Sequence, residues 1–243
     1  MTKPYKDQKT GKKEQVTLMF NNIARRYDFL NHFLSLGIDK IWRKKAIKTL
    51  SNLKQKSFLL DIACGTGDLA IEALKLNPGH IMGIDISDEM LKIGTNKVEQ
   101  IGASQIITLQ NGDAENMAFK DNSFDAITVA FGVRNFEDLS KGLSEMWRVL
   151  KPGGHVVVLE FSKPHLFPVK QIYQFYFNVI LPVIGKIFSK DQTAYSYLPQ
   201  SVNRFPERED FIQKMEDAGF LQCFYRTLTF GIVTIYYAGK KEK

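Results

Sequence analysis

Cysteine is nearly missing from this chain. Cys64 and Cys223 are its only two, 159 residues apart and neither in a C-x-x-C pair. No disulfide framework can be built from them, which points to a reducing compartment, the cytoplasm. With only four histidines besides, no zinc-ligand spacing occurs, and no metal is expected. Long apolar runs are missing too. The longest apolar-leaning, charge-free stretch, Gln171 to Gly185, has 15 residues and is broken by Gln174, Asn178 and Pro182, whereas a spanning helix takes about 20 apolar residues. Met1 to Gln15 carries five lysines and no apolar core, so a secretory signal is not expected either. Internal repeats, zinc fingers, basic zippers and RNA-binding signatures are absent, and no nucleic-acid partner is expected.

What the chain does have is a surplus of positive charge, 33 Lys+Arg against 26 Asp+Glu, a net charge of +7 over 243 residues. Part of it is clustered, at Lys3, Lys6, Lys9, Lys12 and Lys13, then at Lys40, Arg43, Lys44, Lys45 and Lys48. These read as a flexible basic tail over residues 1–15 and the solvated face of one helix. In the second run Trp42, Ala46, Ile47 and Leu50 share the opposite, apolar face. Hydrophobic residues make up 44% and charged residues 24%, an ordinary globular balance. The length suits one domain over 16–243, with N-terminal helices over 16–50.

From Phe58 short apolar runs alternate with amphipathic stretches. Strands are expected at 58–63, 80–85, 105–110, 124–131 and 155–161, with helices at 68–76, 88–101 and 139–150 between them. Ser87 is the expected N-cap of the second of these helices. Lys151-Pro152-Gly153-Gly154 reads as a turn before the fifth strand. The alternation means βαβ units and a parallel sheet with helices on both faces. An aromatic-rich insertion follows at 164–205. After it come a helix near 207–218 and a hairpin, which puts an antiparallel strand at the edge of the sheet.

The ends of three strands carry the suggestive chemistry. The first runs into Cys64-Gly65-Thr66-Gly67-Asp68 and then a helix. Glycines at such a turn let backbone approach a ligand closely. The loop is neither G-x-G-x-x-G nor a P-loop. Asp61 and Asp68 bracket it, which suits a cationic ligand better than a pyrophosphate. The second strand ends in Asp85, whose carboxylate can accept from two ribose hydroxyls. A helix-cap role for Asp85 is the alternative, although Ser87 and Asp88 already serve it. The third is followed by Asn111-Gly112-Asp113-Ala114-Glu115, where Asp113 could accept from an adenine amino group. Each feature alone is a turn; three on successive strands form a site.

These residues resemble the class I S-adenosylmethionine-dependent methyltransferases. The segments LLDIACGTGDLA, GIDISDEML, NGDAENMAF, FDAITVAFGVRN, MWRVLKPGG and LEFSKP occur in order. With FNNIARRYDFLN and GIDKIWRK upstream, and YLPQSV and TFGIVTIYYAGKK downstream, they are similar to the ubiquinone/menaquinone biosynthesis C-methyltransferase family from about Val16 to Lys240. The resemblance implies a Rossmann-like, mostly parallel seven-stranded sheet. It implies methyl transfer from S-adenosylmethionine to a ring carbon of a polyprenylated quinol, with demethylmenaquinol expected ahead of the ubiquinone-pathway benzoquinol. A soluble acceptor or RNA on the same fold, a nicotinamide-dependent dehydrogenase and a cofactor-binding module without turnover are the rival readings.

By the same resemblance, Asp61, Gly65, Thr66 and Gly67 would surround the methionine end of the cofactor. Asp85 would hold its ribose, and Asp113 and the Ala114 N–H its adenine. Tyr27 would close over cofactor or substrate, or else pack as a helix aromatic. Ala130 departs from relatives with Ser at that position, so a side-chain contact is lost. Arg134 and Asn135 would handle the substrate hydroxyl, the alternative being a structural pairing of Arg134 with Glu137 or Asp138. Asp191, Tyr195 and His32 read as structural. The insertion, with Phe167, Tyr173, Phe175, Tyr176, Phe177, Ile180, Phe188, Tyr195 and Tyr197, would pack on the sheet and cover an isoprenoid tail. Lys163, Lys170, Lys186 and Lys190 beside it suit transient contact with the inner face of the cytoplasmic membrane. A homo-oligomer or contacts within a biosynthetic complex are left open.

Overall fold

The computed structural model describes residues 2–5, 9–180 and 193–242. Helices α1 (Lys12–Leu34) and α2 (Ile38–Lys48) precede the alternating region. There follow β1 (Phe58–Ile62), α3 (Asp68–Ala73), β2 (His80–Asp85), α4 (Asp88–Gln100), β3 (Ile107–Asn111), β4 (Phe124–Ala130), α5 (Leu139–Val149) and β5 (Leu150–Phe161). The remainder is α6 (Val169–Phe175), α7 (Thr193–Arg204), α8 (Glu209–Asp217), β6 (Leu221–Leu228) and β7 (Val233–Gly239). Lys186, Phe188, Lys190 and Asp191 lie outside the described residues, as does the Tyr195 side chain.

The seven strands lie in the order β3-β2-β1-β4-β5-β7-β6. Strands β1 to β5 are parallel neighbours, while β7 runs antiparallel to both β5 and β6. The antiparallel pairing at this edge is thus the hairpin, with β7 one place in from the border. The order reverses between β1 and β4, and Ile62 pairs with both Ile84 and Val129. The loops after β1, β2 and β4 therefore open side by side at the carboxyl edge, where open α/β sheets bind ligands.

Both faces of the sheet are buried, so its strands read as continuous apolar runs. Leu60, Ile127 and Val156 face α5 and α8 through Leu143, Met146 and Phe211. Their neighbours Leu59, Ala126 and Val157 face the other way, onto Trp42, Ile47, Leu69 and Val98. The face expected for α2 is the buried one: Trp42, Ala46, Ile47 and Leu50 are out of water. Arg43 is buried with them, and so does not belong to the solvated face where its charge run placed it.

Two further expectations change. The basic tail ends before residue 15, because α1 begins at Lys12 and Gln15 is fully buried. The cause is long-range pairing. The Lys12 N–H donates to Glu137 Oε1 at 2.8 Å, and its ammonium donates to the carbonyls of Phe136 and Arg134. Lys151-Pro152-Gly153-Gly154 is not a free turn but the start of β5. The register shifts between Phe124 and Ala126, and Gly153 and Gly154 exchange backbone hydrogen bonds with Lys240 at 2.9 and 3.0 Å. Glycine fits because φ at Gly153 is +74°.

Candidate functional site

The turn after β1 holds Ala63, Gly65 and Gly67 at φ of 51°, 54° and 81°. This left-handed run points successive amides in different directions. The Gly65 N–H donates to Asp85 Oδ2 at 2.8 Å, and the Ser87 N–H donates to Asp85 Oδ1 at 2.8 Å. One carboxylate thus ties the β1 loop to the β2 loop, and each oxygen keeps a second lone pair for a ligand. Burial raises the Asp85 carboxyl above its ordinary value, against the pull of these amides. Ser87 caps α4 as expected, accepting from the Met90 N–H at 3.3 Å. Gly132 after β4 comes so near that a Cβ on it would lie 2.6 Å from Ala63 Cβ.

Between these loops lies a cleft of about 70 Å³. Gly65, Asp85, Asp113, Ala114, Ala130 and Asn135 stand on its walls, with Tyr27 and Lys13 reaching in from α1. Lys13 donates to Asp113 Oδ2 at 2.7 Å and lies 3.6 Å from Glu115, so α1 is latched over the cleft.

Thr66, Gly67 and Asp61 are not on those walls. The Thr66 hydroxyl turns toward α1 and α4, donating to Asp28 Oδ1 at 2.6 Å and accepting from Lys97 Nζ at 3.2 Å. Lys97 also holds Asp68, and Arg43 holds Asp39 and lies 3.5 Å from Asp68. His32 joins them at 2.7 Å from Asp39, the structural part expected of it. His32, Asp39 and Asp68 are spaced for a cation, but Arg43 and Lys97 already neutralise them. Asp61 lies beneath the loop. Its Oδ1 accepts from the Thr128 hydroxyl at 2.8 Å, and its Oδ2 is buried without a partner. Burial pushes this carboxyl up to about 7 from 3.8.

A second, larger cavity of about 490 Å³ opens beyond the cleft. Phe20, Tyr27 and Phe131 line both spaces and form the partition. Tyr27 therefore stands where it could face either ligand. Phe131 takes a left-handed φ of 57°, costly for a bulky residue, and its ring packs on Phe161 at 4.5 Å. The rest of the larger cavity is mostly apolar, from α1, α2, α6 and α7.

Arg134 and Asn135 are brought to this junction but divided by it. The tight turn over 133–135 sends Arg134 to the larger cavity and Asn135 to the cleft. Arg134 pairs with neither Glu137 nor Asp138. Glu137 accepts from Lys12, and Asp138 caps α5 by accepting from the Lys141 N–H at 3.0 Å. Its partner is Glu160 on β5, at 2.8 Å and fully buried. Arg134 also donates to the Phe131 carbonyl and stands 5.5 Å from the centre of the Phe161 ring. Its Nε is buried with no acceptor. Burial raises the Glu160 carboxyl, and Arg134 opposes that rise. The signal for Glu160 was an acidic residue inside the apolar run HVVVLEF.

The chain matches the ubiE/COQ5 methyltransferase family over residues 7–240. A demethylmenaquinone methyltransferase of Bacteroides fragilis is 51% identical over 240 residues, covering 98% of this chain and 97% of that protein. A ubiquinone/menaquinone biosynthesis C-methyltransferase UbiE of Geotalea daltonii is 48% identical over 229 residues, covering 93% of this chain and 97% of that protein. Among solved structures, an S-adenosylmethionine-dependent methyltransferase of Thermotoga maritima, described as a possible histamine N-methyltransferase, superposes with a TM-score of 0.64. It is 21% identical and covers 92% of this chain and 99% of its own, a likeness of fold.

The Asp61 environment makes a pH-dependent prediction. Its folded value of about 7 lies above the ordinary 3.8. Ionisation therefore destabilises the fold progressively as pH rises from about 4 to 7, and by a constant amount above that. Asp61→Asn should raise the melting temperature of the ligand-free protein at pH 8 and leave it unchanged at pH 4. Equal shifts at both pH values, or a loss at pH 8, would contradict the burial of an unpaired carboxylate.

Proposed function

The chain belongs to the ubiE/COQ5 methyltransferase family, and from that premise we propose that it transfers a methyl group from S-adenosylmethionine to a ring carbon of demethylmenaquinol, giving menaquinol. The observation that carries this reading is the meeting of two unlike cavities at Tyr27 and Phe131. One is small and acid-walled; the other is large and mostly apolar, with two buried arginines on its wall, Arg43 paired to Asp39 and Arg134 beside the partition. The name of the Bacteroides fragilis relative favours a naphthoquinol over a benzoquinol.

The cleft suits S-adenosylmethionine. Asp85 has lone pairs for ribose hydroxyls, and Asp113 and the Ala114 N–H are available to adenine. The orphaned Asn135 Oδ1 can accept from the ammonium end, and there is open space where Gly65 would carry a Cβ. When bound, S-adenosylmethionine supplies a methyl already activated on a sulfonium. Tyr27 closes the partition and can offer its ring face to that positive charge.

The chain's own task is the acceptor. A ring carbon becomes nucleophilic when the neighbouring hydroxyl gives up its proton and shares the negative charge. Water at the cavity mouth takes that proton, and later the hydrogen displaced from the methylated carbon; Arg134 cannot, because guanidinium stays charged. It stabilises the resulting oxyanion with an N–H that Glu160 and the Phe131 carbonyl hold in place. Asn135, on the cleft side, orients the cofactor rather than the substrate hydroxyl. The apolar walls exclude water, and orientation of ring against methyl can supply roughly 7–11 kcal/mol of the barrier.

An isoprenoid tail is held in lipid, so the mouth of the larger cavity should face a membrane. Leu36, Phe230 and Ile172 stand on its rim, 85%, 73% and 64% exposed, and the first two take left-handed backbone. Leu166, Phe167 and Phe175 extend the patch, with Lys170 beside them. No described helix is long and apolar enough to cross a membrane. We infer peripheral contact at the inner face of the cytoplasmic membrane.

Methyl-labelled S-adenosylmethionine with a short-chain demethylmenaquinone should label the quinone only when dithionite keeps it reduced. It should label the benzoquinol analogue more weakly. Arg134→Lys should lower kcat about 100-fold with cofactor affinity kept. No label in either acceptor, with cofactor binding intact, overturns the quinol reading; full activity of Arg134→Lys overturns its role. In sedimentation with phosphatidylglycerol vesicles, the double variant Leu36→Asp/Phe230→Asp should stay in the supernatant while wild type pellets. Equal partitioning of the two, or wild type that fails to pellet, would refute the membrane face.

A further inference from the structure

The larger cavity holds polar chemistry that stabilisation of one oxyanion does not use. Besides Tyr27 at the partition, three tyrosines stand on its wall: Tyr173 on α6, Tyr176 just after it, and Tyr197 on α7. Tyr176 is satisfied by the chain itself, its hydroxyl donating to the Leu34 carbonyl at 2.9 Å. Tyr173 and Tyr197 are not. They are 8% and 3% exposed, and their hydroxyl oxygens are buried without a hydrogen-bond partner among the described residues. Buried polar atoms are nearly always paired, so two orphaned hydroxyls on one cavity wall call for an explanation.

Electrostatics sets the same two apart. Arg134 and Glu160 both act on Tyr173 and on Tyr197, whereas Tyr176 feels neither. The two phenols thus lie near the ion pair, yet neither hydrogen-bonds to it. The Arg134 Nε is a third orphan in the same space. Burial raises both phenols, Tyr197 to about 12, so at neutral pH each keeps its proton and can donate as well as accept. The packing holds them in place: the Tyr173 ring stacks on Phe177 at 4.1 Å, and Phe177 packs on Phe161, over which Arg134 lies.

Orphaned polar atoms on the wall of a mostly apolar cavity, whose other charged lining groups Asp39 and Arg43 pair with each other, suit a flat, greasy ligand with oxygen at more than one edge. We propose that the Tyr173 and Tyr197 hydroxyls bind the ring oxygen opposite the one stabilised by Arg134, so that the cavity selects an aromatic acceptor carrying oxygens on both sides of its ring. The inference rests on the quinol reading of this cavity and deepens it. Arg134 serves the oxygen next to the reacting carbon. The tyrosines fix the far end of the ring, and with it the carbon that is presented to the cleft. An acceptor without the far oxygen leaves both hydroxyls unpaired, and sites built on hydrogen bonds discriminate strongly against such analogues.

The test compares two acceptors, 2-prenyl-1,4-naphthoquinol and 3-prenyl-1-naphthol, which keeps the activating hydroxyl and lacks the opposite oxygen. The intrinsic reactivity of each compound is the same for every variant, so the quotient of their kcat/KM values isolates recognition. Wild type should favour the quinol by about 100-fold or more. Tyr173→Phe and Tyr197→Phe should each reduce that preference by roughly tenfold, mainly by lowering kcat/KM for the quinol. Tyr176→Phe should leave it as in wild type. Cofactor affinity by calorimetry should be unchanged in all three, which reads folding separately, and each tyrosine variant is judged on its own. A wild-type preference preserved in both Tyr173→Phe and Tyr197→Phe overturns the proposal while the quinol reading stands. Wild type that methylates neither compound overturns the quinol reading, and this proposal with it.

Discussion

Arg134 and Glu160 meet almost entirely out of water at the carboxyl ends of β4 and β5. Two charges are buried at high cost, and removing either partner from such a pair typically costs about 3–5 kcal/mol. What this contact gives is position. It pins the segment after β4, where Phe131 sits in left-handed backbone and divides the two cavities. Lys12 donates to the carbonyls of Arg134 and Phe136, which brings the start of α1 onto the same turn. Helix α1 then carries Tyr27 to the partition and Lys13 over the cleft. The covering of the site is assembled from this one buried pair outward.

The two sides of that junction carry different free chemistry. The cleft has the Asp85 carboxylate on its wall, and Asp113 there is already paired with Lys13; the cavity side has Arg134, paired with Glu160 but with its Nε unsatisfied. In the proposed reading a cationic methyl donor meets the first, and an acceptor that becomes anionic during reaction meets the second. Tyr173 and Tyr197 on the larger cavity are neutral phenols, and burial raises them further. They add directional hydrogen bonding without a third charge, which would be costly in so apolar a space.

Much of this could be read in the chain before its structure. Strand ends are marked by changes of hydrophobic period, so Asp85 and Asp113 fell at the sheet's carboxyl edge, and Ser87 announced its own helix. Local signals of this kind survive folding because they depend on neighbours in sequence. What escaped depends on partners far away. Lys12 and Lys13 look like part of a solvated tail until Glu137 and Asp113, 125 and 100 residues on, are seen to hold them. Arg43 looks like one more surface cation, yet Asp39 and Asp68 bury it. Adjacency groups Asn135 with Arg134, whereas one tight turn sends them to opposite sides. Lys151 to Gly154 carries the composition of a turn, but pairing with Lys240 makes it strand. Tyr173 and Tyr197 are set apart from Tyr176 by hydroxyls buried without a partner, which no sequence pattern reports.

The most direct test of the account is the crystal structure of the ternary complex with S-adenosylhomocysteine and a reduced short-chain prenyl naphthoquinol. The account predicts the sulfur in the cleft beside Asp85. It predicts the ring in the larger cavity with one oxygen hydrogen-bonded to Arg134, and the carbon beside that oxygen facing the sulfur past Phe131 and Tyr27. A ring bound outside that cavity, or inside it with Phe131 standing between carbon and sulfur, would contradict it.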